Sequence, residues 1–224
     1  EGRIGMRYAT VCSGIECFSL AVAARGWEPA WFAEIEPYCC DLLKERYPHV
    51  PNLGDITKID AAPACDIVVA GTPCQSFSVN GEQRGMDDAR GQLAIRFTRI
   101  LAACRPRWVV WENVPGVLTS GDGRDFGGFM RSLGQLGYGF AYRVLDARYF
   151  GVAQRRRRVF VVGHYRDWRK AAAVLFDGTQ HRPAQITNRE TQSRGQERTV
   201  PRSVLGWTGD ETPKYGVEIV PTLR

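Results

Sequence analysis

The sequence predicts an α/β protein built on a doubly wound, mostly parallel sheet. Three observations carry this. Short apolar runs that suit buried strands alternate with longer segments of helical period. The runs end at glycine, proline or an acidic residue, where a strand gives way to a loop. The chain has 224 residues, 44% hydrophobic and 24% charged, enough for one such core and a small appendage.

The elements follow in order. MRYATVCSG reads as a strand ending at a Ser-Gly turn, and IECFSLAVAARG as a helix with Phe18, Ala21 and Val22 on one side and a stop at Gly26. EPAWFAEIE is a second strand, and PYCCDLLKERYP a helix with Pro37 near its start. DIVVAGTPC is a third, buried strand, and QLAIRFTRILAACRP an amphipathic helix closed by Pro106. RWVVWENV is a fourth strand, and GGFMRSLGQLGYG a helix with a glycine stop. AYRVLDARYFG and RRVFVVGHY complete the strands. Beyond about residue 170 the pattern degrades. DGTQHRPAQITNRETQSRGQERT is polar and aperiodic and reads as a loop, insertion or linker. The division expected is a domain over 6–170 and an appended region over 171–224.

Composition narrows the function. No apolar run reaches the roughly 18 to 20 residues of a membrane span, and no secretory leader is read. The seven cysteines form no C-x-x-C pair and the three histidines do not cluster with them, so neither a disulfide framework nor a metal site is expected. Free thiols suit a reducing compartment, most of them as small core hydrophobes. Of the net charge of +6, residues 151–224 carry +7, with 14 Lys/Arg against 7 Asp/Glu, and the first 150 residues −1. A near-neutral body with a basic end suits a nucleic-acid partner.

In a doubly wound sheet, ligands sit outside the carboxyl ends of the strands. Ser13, Gly14, Glu34, Asp55, Cys74 and Glu112 all fall there. Cys74 in GTPCQSFS, Glu112 in WENV and the arginines of QRRRRVF stand in an order and spacing that resemble the cytosine-C5 DNA methyltransferase family, in its phage-like bacterial branch. The likeness covers roughly Met6 to Tyr165.

That resemblance implies the Rossmann-like fold of S-adenosylmethionine-dependent methyltransferases, with S-adenosylmethionine as cofactor and S-adenosylhomocysteine as product. It implies that Cys74 is the nucleophile adding to C6 of a flipped cytosine. Glu112 matches the carboxylate at the pyrimidine N3 edge, and its apolar flanks are expected to favour the protonated form. Arg156 and Arg158 would point into the site, Arg158 toward the pyrimidine O2 and Arg156 toward Glu112 or a phosphate. Alternation puts Arg155 and Arg157 on the other face. Asn113 and Val114 would hold the loop.

For the cofactor, the turn Cys12-Ser13-Gly14-Ile15 would meet the methionine portion. The family usually has an aromatic residue at the Cys12 position and glycines after it, one of them where Glu16 stands. Glu34 would bond the ribose hydroxyls with Ile35 against the adenine. Asp55 would accept from the adenine amino group with Ile56 beside the ring, and Pro73 and Leu93 would close the walls. SVNGEQRGMDDARGQL resembles the family's loop that closes over DNA. Gln75, Ser78, Arg90, Gln154, Arg155 and Arg157 are the expected DNA contacts.

The partner expected is double-stranded DNA, together with a second polypeptide or further C-terminal segment supplying the family's later motifs, which this sequence lacks. The expected setting is the cytoplasm of a bacterial or phage-infected cell, with the nucleoid. Two other readings use the same motifs: an RNA cytosine methyltransferase, and a catalytically silent DNA-binding subunit.

Overall fold

The structure, a computed structural model, describes residues 5–73 and 89–176, the side chains of residues 89–92, 94 and 95 excepted. Its elements are β1 (Arg7–Val11), α1 (Cys17–Val22), β2 (Glu28–Ala33), α2 (Pro37–Arg46), β3 (Ile67–Ala70), α3 (Ala89–Cys104), β4 (Trp108–Asn113), α4 (Arg124–Gln135), β5 (Tyr138–Asp146), β6 (Arg157–Tyr165) and α5 (Trp168–Phe176), with short 3-10 turns between.

The six strands form one sheet in the order β2-β1-β3-β4-β6-β5. β1 pairs in parallel with β2 and β3, and β3 with β4. β6 is antiparallel to both β4 and β5. The mostly parallel, doubly wound sheet is therefore present, with one reversed strand. The chain leaves β1 toward β2 on one side and returns to β3 on the other, so the topological switch point lies between the carboxyl ends of β1 and β3.

Alternation along the strands divides the core. Ala9, Val11, Val68, Ala70, Val109 and Trp111 face α3 and α4, where they meet Phe97, Ile100, Leu101, Phe126, Phe129 and Leu133. Tyr8, Phe32 and Ile67 face α1 and α2 through Val22 and Leu43. On that second face Ala141 and Val162 pack against Ala171 and Leu175 of α5. Helices on both faces account for strands that are apolar throughout.

Local chemistry sets the boundaries. Pro37 opens α2, and Lys44 and Arg46 stand in its last turn, where the helix dipole favours cations. Phe126, Phe129, Met130 and Leu133 give α4 its buried stripe. Gly26 takes a left-handed φ of 64° and ends the first helical segment as expected.

Three expectations change. The fourth helix ends at Gln135 and β5 begins at Tyr138, inside the stretch read as helix, because Gly137 at φ 89° turns the chain. α5 lies where the pattern was read as degrading and runs across residue 170. Its signal was Asp167, whose Oδ1 accepts from the backbone N–H of Arg169, followed by the pair Ala171 and Leu175. Among the described cysteines only Cys104 is buried, while Cys17 is exposed and the others lie between.

The seat of α5 is tight enough to test. A Cβ on Gly139 would lie 2.8 Å from Cα and 2.7 Å from Cβ of Trp168. Gly139→Ala is expected to destabilise the fold by about 1–3 kcal/mol, as overpacking against a backbone does. Thermal unfolding reads this as a fall of about 2–4 °C per kcal/mol. An unchanged Tm would contradict the docking of α5 on β5.

Candidate active site

The switch point gathers the first group of residues. Beyond β1 the backbone turns at Cys12, with a positive φ of 54° and its N–H on the carbonyl of Ala33 at 2.8 Å. Gly14 follows at φ 56°, and nothing would lie within 4 Å of a Cβ there, so its backbone faces open space. Its N–H donates to Glu34 Oε2 at 2.6 Å, and Glu34 Oε1 accepts from the N–H groups of Ile35 and Glu36 at 2.8 and 2.9 Å. The ends of β1 and β2 are thus tied by one carboxylate.

Asn52 completes this tie. Its Oδ1 accepts from the N–H groups of Glu34 and Gly54, and its amide donates to the Glu34 carbonyl. It fixes the end of β2 to the loop carrying Asp55. The sequence reading missed it; the signal available was an asparagine two residues before a glycine, in NLGD.

Asp55 caps a short turn, with Oδ1 accepting from both N–H and Oγ1 of Thr57 at 2.8 Å. These bonds, with weaker attraction from Lys58 and Arg96, hold its carboxyl below the ordinary aspartate range. Ile35 is 68% exposed, whereas Ile56 is buried in the core. Leu93 packs partly buried against the same core, Pro73 is exposed, and Ile15 is exposed on the turn. Burial, then the charges of Glu34 and Asp55, push the Cys12 thiol up to about 11.

The second group stands on β4 and β6. Asn113 Nδ2 donates to the Thr72 carbonyl and Trp111 Nε1 to the Thr72 hydroxyl, both at 2.9 Å and both buried. Asn113 Oδ1 accepts from Val114 N–H at 2.8 Å. Asn113 therefore holds the loop, as expected, and Thr72 is a positioning residue the sequence reading did not name.

Glu112, between them in sequence, points the other way. Its Oε1 lies 2.9 Å from Arg158 Nε and 4.0 Å from an Arg156 Nη. Both guanidiniums pair with Glu112, Arg158 being the nearer of the two. The apolar flanks Val109 and Trp111 face the core, while the Glu112 side chain remains 29% exposed. Beside it lies a cavity of about 290 Å³ lined by Leu145, Ala147, Phe150, Phe160 and the two arginines.

The two groups meet at Gly71, whose N–H bonds the Val11 carbonyl. A Cβ there would lie 3.7 Å from Glu112 Oε2 and 3.9 Å from the Cys12 carbonyl oxygen. Gln154, Arg155 and Arg157 are exposed at the entry to β6. Cys74, Gln75 and Ser78 lie outside the described residues, as do the side chain of Arg90 and most of the segment read as a closing loop. No group of three or more His, Cys, Asp or Glu able to hold a metal occurs among the described residues, and no described helix is long and apolar enough to cross a membrane.

The family model for C-5 cytosine-specific DNA methylases matches residues 6–212. The chain belongs to this family. Membership of the family implies S-adenosylmethionine as the cofactor.

The chain is 40% identical over 226 residues to a DNA N-6-adenine-methyltransferase of Escherichia phage P1, a match covering 76% of this chain and 30% of that protein. It is 35% identical to the Type II methyltransferase M2.BsuMI of Bacillus subtilis (70% of this chain, 41% of the relative) and 38% identical to M.NgoBV of Neisseria gonorrhoeae (61% and 34%). The chain thus spans about a third of the length of these relatives. Among solved structures, a prophage-encoded DNA modification methyltransferase from E. coli superposes with a TM-score of 0.60 at 23% identity, over 71% of this chain and 47% of that one. The S. pombe Dnmt2 methyltransferase gives 0.57 at 19% identity, over 72% and 51%. These last two likenesses show the fold.

The raised pKa of Cys12 has a direct readout. With a pKa of about 11, only about a thousandth of it is thiolate at pH 8, against about a quarter for an unperturbed thiol. Iodoacetamide at pH 8 should label Cys12 at least tenfold more slowly than the exposed Cys17, with the Cys12 rate still rising at pH 10. Mass spectrometry of timed samples measures this. Equal rates would contradict the closed turn at the end of β1.

Proposed function

We propose that the chain carries the catalytic half of a DNA (cytosine-5-)-methyltransferase. The observation that supports this best is the convergence on Gly71 of the Cys12 turn and of Glu112, three residues before Cys74 in sequence. This is the juxtaposition needed by a reaction that brings a methyl donor and a base ring together.

The residues suit the cofactor. Glu34 spends three acceptor positions on backbone N–H groups, and a carboxylate has about four. The remaining position, at a half-exposed strand end, suits a ribose hydroxyl. Ile35 offers apolar surface to the adenine, and the open backbone at Gly14 admits the methionine portion. When bound, S-adenosylmethionine supplies an electrophilic methyl group on a sulfonium.

Cytosine C5 is a poor nucleophile. In the proposed reaction the Cys74 thiolate adds to C6, forming an S–C6 bond and moving the C5–C6 π pair onto C5 and the ring. C5 then takes the methyl group, and the donor S–CH3 bond breaks with its electron pair remaining on sulfur. Loss of the C5 proton to a base restores the double bond and expels the thiolate. Glu112 and Arg158 stabilise the charge that reaches N3 and O2. The base must leave the duplex for its C6 to be reached. The exposed arginines entering β6 would hold the backbone phosphates.

The name of the phage P1 relative raises a second reading, transfer to adenine N6, which requires no thiol addition. Nucleoside analysis of the product separates the two, and comparison of duplex DNA with transfer RNA separates a DNA from an RNA substrate. The expected product is 5-methylcytosine in DNA. N6-methyladenine, or preference for RNA, would overturn the proposal.

Cys74→Ser is expected to abolish transfer while leaving cofactor binding intact, since an alcohol is a far weaker nucleophile at neutral pH. DNA containing 5-fluorocytosine should form a denaturation-resistant adduct with the unmodified chain only. An adduct with the Cys74→Ser protein would assign the chemistry to another thiol. Glu34→Ala should weaken S-adenosylhomocysteine binding by about 1–3 kcal/mol, the range for hydrogen bonds to a charged group. An unchanged dissociation constant by calorimetry would remove the end of β2 from the cofactor site.

A further inference from the structure

The function above leaves Glu16 unused. It occupies a left-handed position, φ 60°, where the backbone favours glycine, and it is buried to 2% exposure. A buried carboxyl at such a position needs a reason, because both its conformation and its desolvation are costly.

Its hydrogen bonds form an ordered network. Oε2 accepts from Thr10 Oγ1 at 2.6 Å, and Oε1 accepts from Ser19 Oγ at 2.8 Å and Ser19 N–H at 3.2 Å. An ionised carboxylate only accepts, and each hydroxyl has a single proton to give. Ser19 therefore spends its proton on Glu16, and Tyr8, whose hydroxyl touches Ser19 Oγ, must donate to it. Thr10 likewise spends its proton on Glu16. Ser13 Oγ lies 2.7 Å from Thr10 Oγ1 and 3.2 Å from the Thr10 carbonyl, so its proton goes to Thr10 by either contact. Every donor in the network runs inward to one carboxylate.

The outer end of that network is Ser13 Oγ. Ser13 sits half-exposed between Cys12 and the open backbone of Gly14. With its proton committed inward, what it offers outward is lone pairs alone. Resting on the cofactor-site reading given above, we propose that Glu16, acting through Thr10, fixes Ser13 Oγ as an acceptor for a cationic amine, the α-ammonium at the methionine end of the cofactor. Ser13 touches the ligand and Glu16 is a positioning residue. Burial pushes the Glu16 carboxyl upward, and the bonds from Thr10 and Ser19 oppose this.

The alternative is that Glu16 merely caps the short helix α1. Two ligands distinguish these. S-adenosylhomocysteine carries the amino-acid end; methylthioadenosine keeps the adenosine and lacks it. Calorimetry on the full chain is expected to show Ser13→Ala and Glu16→Gln each weakening S-adenosylhomocysteine about tenfold, the scale of one hydrogen bond to a charged group. Methylthioadenosine should stay within about twofold of the unmodified chain. Glu16→Gln keeps the shape but turns one acceptor into a donor, so it breaks the proton order without opening a cavity. Ser13→Ala carries the test should that variant fail to fold. Equal losses for both ligands, or no loss for either, would overturn the proposal in favour of a helix cap. Glu34→Ala should weaken both ligands; if it weakens neither while the Ser13 effect stays selective, the ribose assignment fails and this proposal stands. Failure of the unmodified chain to bind either ligand would overturn the site reading and the proposal together.

Discussion

The site is organised around Thr72. Two residues after β3 the backbone is buried, and its hydroxyl and carbonyl are both held by β4 side chains, Trp111 and Asn113. Removing either donor would leave a buried polar group unsatisfied, at about 1–3 kcal/mol. Alternation along β4 then has a consequence for chemistry. Residues 111 and 113 reach toward Thr72, so residue 112 must face the other way, beside Gly71. One stretch of strand therefore fixes both the chain at Thr72 and the carboxylate of Glu112 beside Gly71. The two cannot drift independently without breaking buried hydrogen bonds.

The reversed strand supplies the other half of the geometry. Residues at the start of a parallel strand lie at the rim opposite the active site. Arg156 and Arg158 are at the start of β6, and they reach Glu112 because β6 runs antiparallel to β4. Leu145 is paired with Arg158 in register across β5 and β6, which sets the apolar wall of the cavity beside the carboxylate. Arg143 of β5 donates to the Leu175 carbonyl and lies over the Phe176 ring, so α5 ends on the face of the sheet that carries this cavity.

Much of this was legible in the sequence, and the reasons are local. Strand and helix identities followed from apolar period, and the strand ends that carry Ser13, Gly14, Glu34, Asp55 and Glu112 followed with them, whereas their roles came from the family resemblance. The direction of β6 was not legible, because RRVFVVGHY reads the same in either orientation. Nor were Thr72 and Asn52. Their roles come from bonds spanning 39 to 41 residues in one case and 18 in the other, and no short window contains both partners. Glu16 was visible only as an oddity in a glycine position. Its explanation needed the fold, which places Thr10 and Ser19 on either side of it. Ile56 lies in the core while its neighbour Asp55 caps a turn, because adjacency in sequence does not give two side chains the same outlook.

The Glu112–Arg158 pair shows how stability and function separate here. Its two side chains are 29% and 23% exposed, and an ion pair so open to water contributes little to folding. The pair engages Oε1 alone. Among the described residues, Oε2 accepts no hydrogen bond and faces the Gly71 gap. The guanidinium orients the carboxylate, and the strand register holds the guanidinium.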